Sequence, residues 1–193
     1  YKSLDNKISK IQKAIEWKHL DMFHQVSAST SGSILNLTAG AQGDHDNTRD
    51  GDKITTSSLQ VRGSIEQNDV PYNKVRITVV RVPTNHWSTI TKDMVYIYSH
   101  STDPQLWMYN LDSFRSSKLK VMYDKCFVVK SITDSVGDGV RNFQFKIPFR
   151  YQVQYAGGTT ACNQALYVFI NSDSTLGPHP TVDMMTRLNY CDL

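Results

Sequence analysis

RNFQFKIPFRYQVQY, residues 141–155, decides the fold class. Phe143, Phe145, Ile147, Phe149, Tyr151, Val153 and Tyr155 take every second position, and Asn142, Gln144, Lys146, Arg150, Gln152 and Gln154 stand between them. A strand turns successive side chains to opposite faces, so this period of two sends the odd positions into a core and the even ones to water. The run is much longer than a typical strand of about 5–6 residues. Pro148 has no N–H to give a ladder, so a bend or corner belongs there and the segment reads as two strands.

The same period recurs on either side. Leu59, Val61, Gly63 and Ile65 alternate with Gln60, Arg62 and Ser64. In KVRITVVRV (74–82), Val75, Ile77 and Val79 face inward, and Pro83 closes the strand. KLKVMYDKCFVVKS (118–131) reads as a further strand, and VDMMTRLNYCDL (182–193) as the last. QALYVFIN (164–171) is apolar on both faces, as a central strand covered on both sides should be. Turn chemistry separates these runs, at Asn68-Asp69-Val70-Pro71 and at DSVGDG (134–139). Residues 84–117 read as a long excursion with one short strand; ITKDMVYIYSH and DPQLWMYNLDSF within it each fit a short helix or a strand. About eight strands with long loops and no regular hairpin spacing predict an all-β fold, an eight-stranded antiparallel jelly-roll sandwich over residues 53–193.

Ahead of it, residues 3–23 predict an amphipathic helix. Ser3 is a good N-cap with Asp5 in the first turn, and Leu4, Ile8, Ile11 and Ile15 form one apolar stripe. Lys7, Lys10 and Lys13 run beside the stripe, either as a solvated face or as a row offered to phosphates. Residues 27–40, small and polar around Ile34 and Leu37, read as an extended connector. The chain thus divides into a basic amphipathic N-terminal helix or arm (1–26), a linker and turn ahead of the first strand (27–52), and the sandwich (53–193).

Charge supports that division. The net charge is +3 over 193 residues, with 21 basic and 18 acidic side chains. Residues 1–20 hold Lys2, Lys7, Lys10, Lys13 and Lys18 against Asp5 and Glu16, which leaves 16 of each sign in the rest of the chain. The whole excess lies in the arm, as in a segment that meets a polyanion. No apolar run reaches the ~20 residues of a membrane span, so no membrane insertion is expected. No secretory leader is visible; any extension ahead of Tyr1 is expected to be rich in Lys and Arg. Cys126, Cys162 and Cys191 are far apart and odd in number, which suggests free buried thiols and a reducing compartment. Asn36-Leu37-Thr38 fits a glycosylation sequon by chance.

AQGDHDNTRDGDKITTSSLQVRGSI (41–65) carries four aspartates, Asp44, Asp46, Asp50 and Asp52, in nine residues. Asp46, Thr48, Asp50 and Gly51 partly mimic a calcium-binding EF-hand loop, but Ser57 stands where the bidentate Glu belongs. A turn, in which Asp and Asn side chains accept backbone hydrogen bonds, explains the composition without a metal. An arginine here, Arg49 or Arg62, is a weaker phosphate ligand because a nearby carboxylate such as Asp44 or Asp52 claims it. Catalysis finds no support. His19, His24, His45, His86, His100 and His179 are scattered, and a nucleophile motif such as GxSxG is absent. A carbohydrate-binding module is the alternative, with Trp87 and Trp107 in loops able to stack on sugars.

The chain resembles the capsid proteins of small icosahedral viruses. The likeness is to satellite tobacco necrosis virus coat protein and to the capsid proteins of circular, Rep-encoding single-stranded DNA viruses. It rests on Gln42-Gly43-Asp44, Asn47, Arg49, Gly51-Asp52, Leu59 and Val61-Arg62-Gly63, leading into what reads as the first sandwich strand. KLKVMYDKCFVV (118–129) resembles a mid-barrel strand, and ALYVFINSD (165–173) with RLNYCDL (187–193) the last two strands. The resemblance implies a non-enzymatic shell protein that assembles with itself into a T=1 icosahedron inside the host cell. It implies a virion location and packaging of single-stranded DNA or RNA through Lys2, Lys7, Lys10, Lys13 and Lys18. It requires no cofactor, but keeps open calcium at a subunit contact through Asp44, Asp46 and Asp50. Host and receptor are not legible.

Overall fold

In the computed structural model, residues 17–45, 47–68, 72–83, 90–97, 101–130 and 139–192 are described. The chain is all-β, with antiparallel strands in two large sheets. One sheet contains β1 (Trp17–Ser27), β11 (Thr181–Asp192), β3 (Lys53–Glu66) and β8 (Val140–Pro148) in that order, with β9 (Gln152–Gln154) also on β3. The other contains β2 (Ser33–Asn36), β10 (Ala165–Ser172), β4 (Asn73–Val82) and β7 (Lys120–Val129).

The core is the layer between the sheets. Leu59, Val61 and Ile65 of β3 and Val182, Met184 and Leu188 of β11 are buried there, opposite Val75, Ile77 and Val79 of β4 and Leu166, Val168 and Ile170 of β10. Aromatic pairs span the layer: Tyr123 stacks on Phe145 with centroids 3.7 Å apart, and Phe127 meets Phe143 at 5.5 Å. The register of the deciding segment holds. Phe143, Ile147, Phe149, Val153 and Tyr155 are buried and Phe145 is partly so, while Gln144, Lys146, Gln152 and Gln154 are exposed. Pro148 does make a break, but β8 and β9 stay on one partner: β8 pairs Ser58–Glu66 and β9 pairs Lys53–Thr55. The missing Pro N–H costs little because the next donor, Phe149 N–H, bonds Ser57 O at 3.1 Å.

Three expectations about the N-terminal part are corrected. The helix expected over 3–23 does not extend through its last turns, since Trp17–Ser27 is a strand paired along its length with β11. The isoleucine stripe ends at Ile15; beyond it Leu20, Met22 and Val26 fall at even spacing and pack on the core. Residues 1–16, including Lys2, Lys7, Lys10 and Lys13, lie outside the described residues. The linker of residues 27–52 contains β2, which pairs β10 from Ser33 to Asn36. The sandwich therefore does not start at residue 53, and β3 is its third strand rather than its first. Edge strands such as β2 bury few side chains, which is why this one left so faint a pattern in the sequence.

The excursion of residues 84–117 holds more than one short strand. Its described part contains α1 (Lys92–Val95), β5 (Tyr96–Ile97), a 3-10 turn (Pro104–Leu106), β6 (Met108–Tyr109) and α2 (Leu111–Ser117), with β5 and β6 paired. Asp103 caps the 3-10 turn and Asn110 caps α2, each accepting a backbone N–H. The excursion lies on the outer face of the β2-β10-β4-β7 sheet, where Tyr96 meets Phe169 edge-on at 6.2 Å. This cover explains why β10 is buried at every position. An ion pair between buried Arg76 and the more exposed Asp124 latches it. Arg76 of β4 donates to both Asp124 oxygens at 2.8 and 2.6 Å, and to the Pro104 and Trp107 carbonyls at 2.8 Å each. Tyr109 and Thr78 hydroxyls also donate to Asp124, and Lys74 pairs with Asp103.

Candidate nucleic-acid interface

Of the five lysines expected to meet phosphate, Lys18 alone lies among the described residues. It stands on β1, and its ammonium lies 2.6 Å from the Asp50 carboxylate with 12% of the side chain exposed. Pairing with β11 fixes this: the strand period turns Lys18 toward the loop that carries Asp50, away from the face a helical period would have given it.

The aspartate-rich loop is organised by its arginine. Arg49 is 1% exposed, its Nε donates to Gly40 O, and its two terminal nitrogens donate to Gly51 O, Asp52 Oδ1 and Thr159 O. The guanidinium sits 4.0 Å over the Tyr155 ring. One side chain thereby ties residues 40 and 51–52 to the turn at 159, and Arg49 is unavailable to phosphate, as its pairing with Asp52 leads one to expect. Asn47 has a further role. Its side-chain amide accepts from Asp21 N–H and donates to Asp21 O, standing in for a neighbouring strand along the open edge of β1. Of the residues considered for calcium, Asp44 is exposed, Asp50 holds Lys18, and Asp46 lies outside the described residues. Among the described residues no group of three or more His, Cys, Asp or Glu side chains converges. The three thiols are free and separate. The Asn36 side chain accepts from both the N–H and the hydroxyl of Thr38, so the sequon residues close a local turn. Trp107 is not a stacking platform: it is 4% exposed, with its indole N–H bonded to Ser101 O at 2.8 Å. Trp87 lies outside the described residues.

What sequence reading missed is the outer face of the β1-β11-β3-β8 sheet. Strand register sets its side chains in rows. One row runs Asp21, Arg187, Gln60, Lys146, and the next Phe23, Met185, Arg62, Gln144. Arg187 grips Asp21 through Nε at 2.7 Å and a terminal nitrogen at 2.6 Å. These hydrogen bonds, aided by the guanidinium charge, hold the Asp21 carboxyl below its ordinary range. Arg62 and Lys146 are exposed. Trp17 and Phe23, at the β1 edge, are 58% and 64% exposed. Grooves of about 280, 380, 260 and 440 Å³ furrow this face, each lined by Gln60, Arg62 or both. The signal was in the sequence: the even partners of an alternating strand are its outer face, and Arg62 and Lys146 are two of them.

No protein-family model and no curated protein matches this chain. Among solved structures it is similar to that of Desmodium yellow mottle tymovirus, at 12% identity over 92% of this chain and 88% of that one, with a TM-score of 0.40. It is also similar to infectious bursal disease virus, Gx strain, at 8% identity over 93% of this chain and 32% of that one, TM-score 0.28. The VP2 subviral particle of the same virus gives 8% identity over 93% and 38%, TM-score 0.27. Likenesses at these scores establish neither a shared fold nor a function.

Proposed function

We propose that this chain is the shell protein of a small icosahedral virus, a jelly roll that self-assembles into a T=1 capsid and packages a single-stranded genome. The observation that carries the proposal is the nesting of strand pairs. β1 pairs β11, β2 pairs β10, β3 pairs β8 and β4 pairs β7, all antiparallel. First meets last and the order closes inward, the pattern of a chain folded double and wrapped into two sheets. Fold alone does not give function; the surface and the arm add to it. Ile97, Leu106, Met108 and Leu111, on the latched excursion, are all more than half exposed. Apolar exposure on that scale suits a protein whose faces are covered by other copies of itself. Lys2, Lys7, Lys10 and Lys13 lie just ahead of β1 and supply charge for a genome without requiring base recognition.

Size-exclusion chromatography and micrographs of the purified protein test assembly. Particles near the void volume are expected, and a monodisperse monomer at high concentration across several salts overturns it. Nuclease digestion of the contents then assigns DNA or RNA. Replacing Lys7, Lys10 and Lys13 with glutamine should leave the fold intact and lower the nucleic acid packaged per particle.

A further inference from the structure

We infer that the outer face of the β1-β11-β3-β8 sheet is a second contact surface for single-stranded nucleic acid, centred on Arg62 and Lys146 and distinct from the lysines of residues 1–16. This deepens the packaging role proposed above and rests on it.

Three observations converge. First, the two central cations are uncommitted. Arg187 is held by Asp21, whereas Arg62 and Lys146 are exposed and flank Gln60 and Gln144 in adjoining rows. Among the described residues the face has two further acids, Asp183 in the row next to Arg62 and Glu66 in the row after it. Lys146 lies on the other side of Arg62 from both, so the positive side of the face is the row of Gln60 and Lys146 together with Arg62. Second, the β1 edge supplies flat apolar groups: Trp17 and Phe23 are exposed on the same face. Proteins that bind single strands without sequence preference combine these two elements, cations that follow the backbone and aromatic rings on which bases stack. Between them Gln60, Gln144 and Asn142 offer amide groups, and the grooves they line open to solvent. Third, the lysine-bearing residues run directly into β1, the edge of this sheet. On the opposite sheet the described part of the excursion covers β10, which is buried at every position.

The test uses the full chain and a labelled 20-nucleotide oligothymidine, with affinity measured over a series of salt concentrations. Each phosphate contact to a single strand contributes about 0.7 to the slope of log K against log[salt]. Arg62→Gln with Lys146→Gln should reduce that slope by about 1.4 with circular dichroism unchanged. Phe23→Ala should weaken binding about tenfold at constant slope, since stacking releases no counterions. Lys120→Gln with Lys125→Gln, on β7 of the other sheet, should alter neither. An unchanged slope in the Arg62 and Lys146 variant, while the Lys7, Lys10 and Lys13 variant loses slope, overturns this inference and leaves the packaging proposal standing. No binding by the wild-type chain overturns both. A change in sedimentation without a change in slope assigns the face to a second copy of the chain and likewise overturns the inference.

Discussion

Asp124→Asn removes one charge from the latch that holds the excursion to its sheet, at almost no cost in volume. Arg76 is left with a guanidinium 8% exposed and no counter-ion, while its bonds to the Pro104 and Trp107 carbonyls remain. Breaking a fully buried pair by removing one partner costs roughly 3–5 kcal/mol, and because Asp124 itself meets water, with 27% of its side chain exposed, the loss falls below that range, about 2 kcal/mol. That is a large part of the ~5–15 kcal/mol that holds a domain together. Equilibrium urea unfolding should show the loss, and hydrogen exchange should locate it at the amides of residues 105–109. Arg76→Met combined with Asp124→Leu should recover only part of it: no unpaired charge is then buried, but the Pro104 and Trp107 carbonyls lose their donor. The pH dependence has a defined sign. Burial alone raises the Asp124 carboxyl, but the hydrogen bonds from Arg76 and Tyr109 outweigh it and the net shift is downward. The latch is therefore fully present above the ordinary carboxylate value of about 4 and is lost as pH falls through the lower folded value. A loss below about 1 kcal/mol, with exchange at residues 105–109 unchanged, would refute the latch.

Three further outcomes are expected. Gly63→Ala should destabilise by about 3 kcal/mol in the same unfolding assay, because the new Cβ lands 2.3 Å from the Asp183 carbonyl oxygen and 2.6 Å from the Phe143 ring. In an NMR titration Asp21 should ionise below the ordinary carboxylate range and Arg187→Gln should raise its midpoint; the pair's stabilisation is present above that range and fades as pH falls through the Asp21 midpoint. Burial pushes the Cys162 thiol up to about 11, so at pH 8 it should resist alkylation in the folded protein, and all three cysteines should react once the chain is denatured.

The sequence by itself determined whatever a repeating period could express. The alternation from Phe143 to Tyr155 predicts its own burial because every inward side chain repeats the same signal. The doubly apolar run from Ala165 to Ile170 likewise announces a strand with cover on both sides. Arg49 beside Asp52 was legible as a pair because the two lie within one turn. Tertiary structure alone decided the rest. β1 takes its conformation from eleven residues of pairing with β11, more than 150 positions away, and that pairing overrides the helix read across residues 17–23. β2 is four residues long and has meaning only against β10. Arg76 gives no local sign that it will meet Asp124 and two carbonyls of the excursion. The outer sheet face is the extreme case. Arg62, Lys146 and Phe23 come from three strands and become neighbours only through register, which no local pattern can encode.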